Sequence, residues 1–353
     1  MKLLSIIIPI YNVEQYIDKC LLSLENQDIS KEDYEIICVN DGSTDGSREA
    51  VLHLQEQYSN ISLIDHPENQ GVSMARNTGY DAATGKYLLL IDPDDFVEEN
   101  SLGYLIKKAD NCKAQLTFPG YAYLDPDCKV KGKKIFKGYG EKVFTGIEAY
   151  HILRGRGEKL SEPLDGIIVD SVSGVLFEAD FINKNRLRYV RGMKLFADCE
   201  FLARAHCLAE RCIVVNHMLY MVFPRNNSAS RSNQFGKKIV REGFIRAASN
   251  LDEFRQNISL DEQQVLFLNG PVVQFVLHAV YSAIQNRSLN QYKILVNDLK
   301  KAGLGKLKLK GCEGYLKICG LSYNLSPYLG ALVLAIVRRI DYWNNKFIKH
   351  RIY

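Results

Sequence analysis

The chain has 353 residues, of which 46% are hydrophobic and 24% are charged. This composition excludes wholesale disorder and favours one large domain with an appendage. The net charge of +4 hides an asymmetry, because residues 300–353 carry eleven lysines and arginines against two acids, a net +9, and the rest sums to −5. A basic tail on a mildly acidic body favours contact with an anionic membrane surface or another polyanion. We expect no nucleic-acid partner.

Cysteine usage points to a reducing compartment. The nine cysteines include no C-x-x-C pair, which favours free thiols over a disulfide framework or a zinc site. The N-terminal apolar run is too short for a signal peptide and is interrupted by Pro9, Tyr11 and Asn12. No apolar run approaches the roughly 20 residues that span a bilayer. We therefore expect a cytoplasmic protein.

The first 120 residues alternate short apolar runs with helical patterns. Strands are predicted at residues 3–10, 34–39, 61–64 and 87–91, and helices begin near residues 17, 50, 72 and 102. This alternation indicates right-handed βαβ units and a mostly parallel sheet. We predict an α/β fold of the Rossmann-like type, whose ligands bind beyond the carboxyl ends of the strands.

The middle of the chain is less regular. Residues 124–142 are polar and are predicted to form an exposed loop. Thr145 and Glu148 have the spacing of a capping box, which predicts the start of a helix. Residues 213–223 are typical of a strand, and from about residue 236 the chain is predicted to be helical throughout.

The most informative segment runs from Leu88 to Asp95. Its four apolar residues are typical of a buried strand, and they lead directly into Asp92, Asp94 and Asp95. Burying negative charge without a partner is costly, so the cluster requires a cation or an array of donors. Mg²⁺ and Mn²⁺ prefer oxygen ligands and commonly bridge carboxylates to substrate phosphates. The segment indicates a metal–diphosphate site, with an acidic turn that caps the next helix as the alternative.

Polar residues also follow the other predicted strands. Pro9 and Tyr11 end the first strand, and Asp41 follows the second within Asn40-Asp41-Gly42-Ser43. Arg76 lies early in the predicted helix after the third strand, and arginine is a natural partner for phosphate. Each feature alone has a structural alternative, a capped turn in the case of Asp41. Their convergence on one edge of the sheet favours a binding site.

Together these segments resemble the nucleotide-sugar half of family-two inverting glycosyltransferases with the GT-A fold. The shared motifs are S-I-I-I-P-x-Y-N, V-N-D-G-S-x-D, N-x-G-x-x-x-A-R-N-x-G and D-x-D-D. The match covers roughly residues 3–100 and continues more weakly to about residue 230. The resemblance implies a mostly parallel mixed sheet flanked by helices.

The resemblance also implies roles for the residues of these motifs. Pro9, Tyr11 and Asp41 would line the pocket for the base and ribose, and Arg76 would lie near the nucleotide or diphosphate. Asp92 and Asp94 would form the motif that holds the metal, Mn²⁺ or Mg²⁺, and the diphosphate. Asp95 would be an auxiliary carboxylate on the donor side.

An inverting transfer requires a general base for the acceptor hydroxyl. The family places this base in a Glu-Asp pair that opens a helix, and the matching stretch here contains Asp198. Ala197 stands where the pair has its Glu. We assign Asp198 as the base, with Glu200 as the second candidate and a helix-capping carboxylate as the structural alternative.

Downstream, the chain resembles the closing Tyr…Arg…Ser stretch of the family. This likeness makes Arg225 a candidate clamp for the donor phosphate, and a solvated loop arginine is the alternative. Near the C-terminus, apolar residues recur at helical spacing between Leu329 and Phe347 with basic flanks. This pattern is typical of a helix in the membrane interface, although a packed helix or a dimer seam has the same pattern.

These observations lead to one main prediction. The chain is predicted to be an inverting, metal-dependent glycosyltransferase that moves a sugar from a nucleotide-sugar, a UDP-sugar above all, to a glycan or lipid-linked oligosaccharide. We expect it at the inner face of the plasma membrane, in surface-polysaccharide synthesis. The alternatives are a degenerate sugar-nucleotide-binding scaffold and a nucleotidyltransferase. The predicted parts are a catalytic domain (1–230, with a nucleotide-sugar half 1–110 and an acceptor half 111–230) and a helical extension (231–353).

Overall fold

The computed structural model describes residues 2–134, 139, 142–153, 171–224, 238–285 and 288–349, with the backbone alone from residue 340 onward. Contacts between Cα atoms divide the chain into two units, Met1–Ser232 and Asn233–Tyr353. The division lies two residues from the predicted one. The further split of the catalytic domain at residue 110 stays a prediction.

The described part of the N-terminal unit contains ten strands and seven helices. In chain order they are β1 (Leu4–Ile10), α1 (Ile17–Glu25), β2 (Tyr34–Asn40), α2 (Ser47–Gln57), β3 (Ile61–Asp65), α3 (Val72–Ala82), β4 (Tyr87–Leu90), β5 (Phe96–Val97), α4 (Leu102–Cys112), β6 (Leu116–Leu124), β7 (Val130–Lys134), β8 (Val143–Phe144), α5 (Gly146–Leu153), β9 (Leu176–Glu178), α6 (Ala179–Lys184), α7 (Ala197–Leu208) and β10 (Cys212–Val222).

These strands form one mixed sheet. Its order is β3-β2-β1-β4-β9-β6-β10-β5, with β7 paired to β6 and β8 paired to β10. The four strands β3, β2, β1 and β4 are parallel, and β9 runs antiparallel between β4 and β6. All seven residues of β1 are buried, as expected for a central strand covered on both faces. The predicted α/β fold with a mostly parallel mixed sheet is confirmed.

Helix α3 packs closely against β1, and this contact positions Arg76. A Cβ atom on Gly79 of α3 would lie 2.2 Å from Cγ2 of Ile7 on β1. No side chain larger than hydrogen fits there without a shift, so this glycine permits the close helix–strand packing. Arg76 lies one turn earlier on the same helix and is thereby fixed against the sheet.

One predicted loop is wrong in part. Within residues 124–142, the segment Val130–Lys134 is strand β7, which pairs antiparallel with β6. Lys131 and Lys133 of this strand are exposed, which is typical of an edge strand, where charge is tolerated on the solvent side. The predicted capping box is confirmed, because the Glu148 carboxylate accepts from the backbone N–H of Thr145 at 2.8 Å and the Thr145 hydroxyl accepts from the N–H of Glu148 at 3.2 Å.

The described part of the C-terminal unit is helical, which confirms the predicted helical extension. Its helices are α8 (Lys238–Asn257), α9 (Glu262–Gln285), α10 (Leu289–Lys301), α11 (Gly314–Leu325) and α12 (Pro327–Lys349). Helix α9 is central, since α8, α10, α11 and α12 all contact it. Contrary to expectation, Glu262–Ile284 of α9 is long and apolar enough to cross a membrane by length and composition. Because 67% of the apolar window is buried, it equally has the character of a core helix.

Candidate active site

The acidic segment lies directly after β4, beside the end of β10. Asp92 and Asp94 are half-buried, whereas Asp95 is buried. Burial, together with the negative charges of Asp92 and Asp94, raises the pKa of Asp95 to about 8, although hydrogen bonds to its carboxylate oppose the shift. Burial and the two neighbouring carboxylates therefore disfavour a third negative charge in this segment.

Asp95 is tied to β10 through both of its oxygens. The Tyr220 hydroxyl donates to its Oδ2 at 2.6 Å, and the backbone N–H of Phe223 donates to its Oδ1 at 2.8 Å. The same tyrosine oxygen accepts from the backbone N–H of Asp92 at 3.2 Å. Tyr220 thus holds the acidic turn in shape. Tyr220 is the tyrosine of the Tyr…Arg…Ser stretch in the sequence, and that likeness does not predict this contact.

Arg76 joins the acidic segment to the candidate base. Its buried guanidinium donates from Nη1 to Oδ1 of Asp198, and from Nη2 to Oδ1 of Asp92 at 3.1 Å. The guanidinium carbon lies 5.2 Å from the ring centre of Tyr189. Its Nε is buried and lacks a hydrogen-bond partner among the described residues. One cation therefore pairs with two carboxylates that are 106 positions apart in the chain.

Asp198 lies in the first turn of α7, with 22% of its side chain exposed. The helix is preceded by Phe196 in the left-handed region, with φ of 63°, and no side chain caps it. Asp198 instead accepts from the backbone N–H of Val172 at 3.4 Å, so the capping alternative is wrong. Burial raises the pKa of Asp198, the Arg76 charge lowers it, and the Asp92 charge raises it. A carboxylate with a raised pKa is a better proton acceptor for a hydroxyl.

Glu200, the second candidate for the base, has a different role. Its side chain is 1% exposed, and its two oxygens accept from Nε and Nη2 of Arg204, each at 2.7 Å. Such a buried bidentate pair is typical of a structural interaction, and removal of one partner destabilises the protein because it leaves the other charge unpaired. The neighbouring Ala197 is buried.

Asp41 organises the turn in front of α3. Its carboxylate accepts from the backbone N–H groups of Gln70 at 2.9 Å and Gly71 at 2.7 Å, and from Nδ1 of His66 at 2.7 Å. Because a carboxylate only accepts, Nδ1 of this histidine is the donor, and its Nε2 forms a hydrogen bond with the Thr78 hydroxyl at 2.9 Å. Gly71, with φ of 91°, directly precedes α3. The structure thus brings Asp41 into the framework that carries Arg76.

Pro9 and Tyr11 lie at the same edge of the sheet as Asp41. Pro9 is a buried residue of β1, and Tyr11 is exposed just beyond the end of that strand. The backbone N–H of Asp41 donates to the carbonyl of Ile10 at 2.8 Å, which joins the two strand ends. Their contact with a base and ribose stays a prediction. Arg225 lies outside the described residues, and its role as a clamp also stays a prediction.

The acidic segment fits a divalent metal shared with a substrate. In the described part of the chain, no group of three or more His, Cys, Asp or Glu side chains is arranged to hold a metal ion. Asp92 and Asp94, however, offer carboxylate oxygens at a partly open position. Mg²⁺ is usually held by one or two carboxylates and substrate phosphates rather than by a cage of protein ligands. A cation at this position would offset the negative charges of Asp92 and Asp94, which act on the buried Asp95.

Comparisons with known proteins agree with this arrangement. Residues 5–178 match the model of glycosyl transferase family 2. The glycosyltransferase GlyA of Streptococcus pneumoniae is 32% identical over 229 residues, 65% of this chain and 31% of GlyA. The poly(ribitol-phosphate) beta-glucosyltransferase of Bacillus spizizenii is 44% identical over 100 residues, 28% of this chain and 16% of that protein. The putative glycosyltransferase EpsH of Bacillus subtilis is 27% identical over 260 residues, 73% of this chain and 71% of EpsH.

Solved structures show the same fold. TarS of S. aureus, residues 1–349 in complex with UDP-GlcNAc, superposes with a TM-score of 0.67 at 19% identity, over 96% of this chain and 92% of TarS 1–349. The fold and the matched relatives define a glycosyltransferase enzyme with the GT-A fold. The chain belongs to glycosyl transferase family 2. It spans less than a third of the length of GlyA and of the poly(ribitol-phosphate) glucosyltransferase.

Proposed function

We propose that the chain is an inverting, metal-dependent glycosyltransferase that moves a sugar from a UDP-sugar to a glycan or lipid-linked oligosaccharide in surface-polysaccharide synthesis. A UDP-sugar donor is supported by the fold shared with TarS, whose structure contains UDP-GlcNAc. A polymer of the cell surface as acceptor is supported by the likeness to a poly(ribitol-phosphate) beta-glucosyltransferase.

One observation carries the proposal: the guanidinium of Arg76 lies between Asp198 and Asp92. A displacement at the anomeric carbon needs a base on the acceptor side and charge neutralisation on the leaving side. Asp198 meets the first need and the acidic segment the second. Their shared arginine holds the two at one site.

The chemical step follows from these positions. The acceptor hydroxyl attacks the anomeric carbon, its proton passes to the Asp198 carboxylate, and the bond from the anomeric carbon to the diphosphate oxygen breaks. Asp92 and Asp94 would hold a Mn²⁺ or Mg²⁺ ion that, when bound, neutralises charge on the leaving diphosphate. Tyr220 and Asp95 keep the acidic turn in shape, and UDP leaves with the electron pair of the broken bond.

We also propose that the protein lies at the cytoplasmic face of the plasma membrane through its C-terminal part. On α12, Leu329, Leu332 and Ile336 are exposed, as an interfacial helix requires. Of the predicted apolar stripe, the side chains from residue 340 onward lie outside the described residues. Deleting residues 326–353 is expected to move the protein from the membrane to the soluble fraction, and unchanged partitioning would contradict this placement.

A donor screen tests the enzymatic proposal. Purified protein is incubated with individual UDP-sugars and an acceptor preparation, with Mn²⁺ or with EDTA, and released UDP is measured. We expect release from at least one UDP-sugar with Mn²⁺ and none with EDTA. Binding of UDP-sugars without release of UDP would favour the degenerate sugar-nucleotide-binding scaffold. The feature that supports this alternative is Ala197, which stands in the position of the usual Glu. Release of pyrophosphate from a nucleoside triphosphate would favour a nucleotidyltransferase.

A further inference from the structure

A cavity of about 390 Å³ lies within the C-terminal unit, between α10 and the start of α12. Lys293, Asn297 and Lys300 line it from α10. They are spaced by four and three residues and therefore share one face of the helix. Ser326 and Tyr328 line it from the other side.

The chemistry of this cavity suits a phosphate group. Two ammonium groups and three neutral polar groups face it, and none of the described residues that line it is acidic. Helix α12 begins at Pro327, so the positive end of a 23-residue helix lies at the same place. The Tyr292 hydroxyl donates to the carbonyl of Pro327 at 2.6 Å. This bond fixes the start of α12 against α10.

An exposed apolar surface begins at the rim of the cavity. Leu325, which lines the cavity, is 81% exposed, and Tyr328 beside it is also exposed. Leu329, Leu332 and Ile336 continue the exposed apolar face along α12 at intervals of three and four residues. A small soluble anion gains nothing from such a surface, whereas the acyl region of a lipid does.

The charge around the cavity matches an anionic membrane. Residues 288–339 contain nine lysines and arginines against two acids. Such a density of positive charge is attracted to anionic lipid headgroups, and basic pockets beside apolar helices are typical headgroup sites.

We propose that this cavity binds the phosphate headgroup of an anionic phospholipid, while the exposed apolar residues of α12 enter the boundary between headgroups and acyl chains. The inference rests on the membrane contact proposed above and names its binding site. It places the lipid phosphate between Lys293 and Lys300 and the first turn of α12. Binding to vesicles needs no sugar nucleotide, so it is measured independently of the transfer reaction.

The experiment measures co-sedimentation of the full chain with vesicles of phosphatidylglycerol and phosphatidylcholine, and with vesicles of phosphatidylcholine alone. We expect preference for the anionic vesicles. The double variant Lys293→Gln/Lys300→Gln is expected to weaken that binding about thirtyfold, since both lysines lie near the anionic surface. The matched variant Lys306→Gln/Lys308→Gln removes the same charge from exposed lysines that do not line the cavity, and we expect it to weaken binding less than about threefold.

Two further measurements distinguish a lipid from a second copy of the chain and from free phosphate at this surface. Leu329→Ser/Leu332→Ser is expected to weaken vesicle binding about tenfold, with unchanged UDP release and unchanged thermal unfolding, because both side chains are exposed. If the two double lysine variants lost vesicle binding equally, the cavity would not be the headgroup site, and the binding would reflect a general attraction between positive charge and the membrane. A dimer in sedimentation that the leucine variant abolishes would assign the apolar face to a second copy. Binding of inorganic phosphate without any vesicle binding would also overturn the proposal.

Discussion

The turn around Asp41 and the acidic segment around Asp95 both bury a carboxylate at the same edge of the sheet, with opposite outcomes. Asp41 accepts three hydrogen bonds from nitrogen donors of its own unit. Asp95 accepts two and lies beside two further carboxylates, and its burial and their charge raise its pKa to about 8. The Asp41 carboxylate has hydrogen-bond donors within its own unit, and these bonds order the turn in front of α3. Asp95 belongs to the acidic segment that we propose to hold a divalent cation.

The largest expected effect is the loss of turnover on substitution of Asp198. Asp198→Asn removes the candidate base while keeping the shape of the side chain, so turnover is expected to fall about a thousandfold. Binding of UDP with Mn²⁺, measured by calorimetry, is expected to change little. Retained turnover would remove Asp198 from the role of base. Glu200→Gln is the matched control, since it is expected to lower thermal stability through the Arg204 pair and to leave turnover near that of the wild type.

The comparison of Asp41 with Asp95 predicts opposite effects on stability. Asp41→Asn places an amide against three donors, and losing acceptor capacity at a buried site costs about 1–3 kcal/mol. Asp95→Asn removes a carboxyl that must take up a proton on folding at neutral pH, because its pKa is raised to about 8, so in EDTA we expect equal or greater stability than in the wild type. Urea unfolding of both variants at neutral pH measures this difference. Equal destabilisation by the two substitutions would remove the distinction between the two carboxylates.

Tyr220→Phe tests how far the acidic segment depends on β10. Without the hydroxyl, Asp95 loses its 2.6 Å bond and the backbone N–H of Asp92 loses its acceptor. We expect the Mn²⁺ concentration for half-maximal turnover to rise about tenfold, because the metal-binding turn is less well ordered. At saturating Mn²⁺, turnover is expected to return close to the wild-type value. A turnover loss that metal does not restore would assign Tyr220 a role beyond positioning.

The raised pKa of Asp95 also predicts a dependence of stability on pH in EDTA. Burial and the neighbouring charges raise the pKa of Asp95 to about 8 in the folded protein, against about 3.9 in an unfolded chain. The folded state then binds more protons between those values, so this group reduces stability as the pH rises from about 4 to 8. The unfolding temperature of the wild type is expected to fall relative to that of Asp95→Asn across this window. Parallel curves for the two proteins would contradict the shift.

Many strands and helices of residues 1–110 can be predicted from sequence pattern alone. The helix predicted to begin near residue 72 is observed at Val72–Ala82, and the strand predicted at 87–91 is observed at Tyr87–Leu90. Long apolar runs and helical spacing identify such elements because each buries a continuous face. By contrast, β5 and β9 have two and three residues. Segments that short show no periodicity, and their place in the sheet depends on tertiary pairing.

The contacts that complete the site are harder to predict. The Arg76–Asp198 pair spans 122 positions and the Tyr220–Asp95 bond spans 125, so no local pattern encodes either one. Motif resemblance identified Arg76, Asp92 and Asp198 separately, but their shared guanidinium appears only in three dimensions. The bond of Tyr220 to Asp95 had one available signal, a tyrosine at the end of an apolar strand that leads to a polar segment, and that signal is common in proteins.

The most direct test of the account is Mn²⁺ binding followed by electron paramagnetic resonance, with and without UDP, in the wild type and in Asp94→Asn. If carboxylates at this edge of the sheet hold a cation that in turn holds a diphosphate, the wild type binds Mn²⁺ much more tightly with UDP present, and the variant loses that gain. Mn²⁺ binding that is indifferent to UDP, or unchanged by the substitution, would contradict the account.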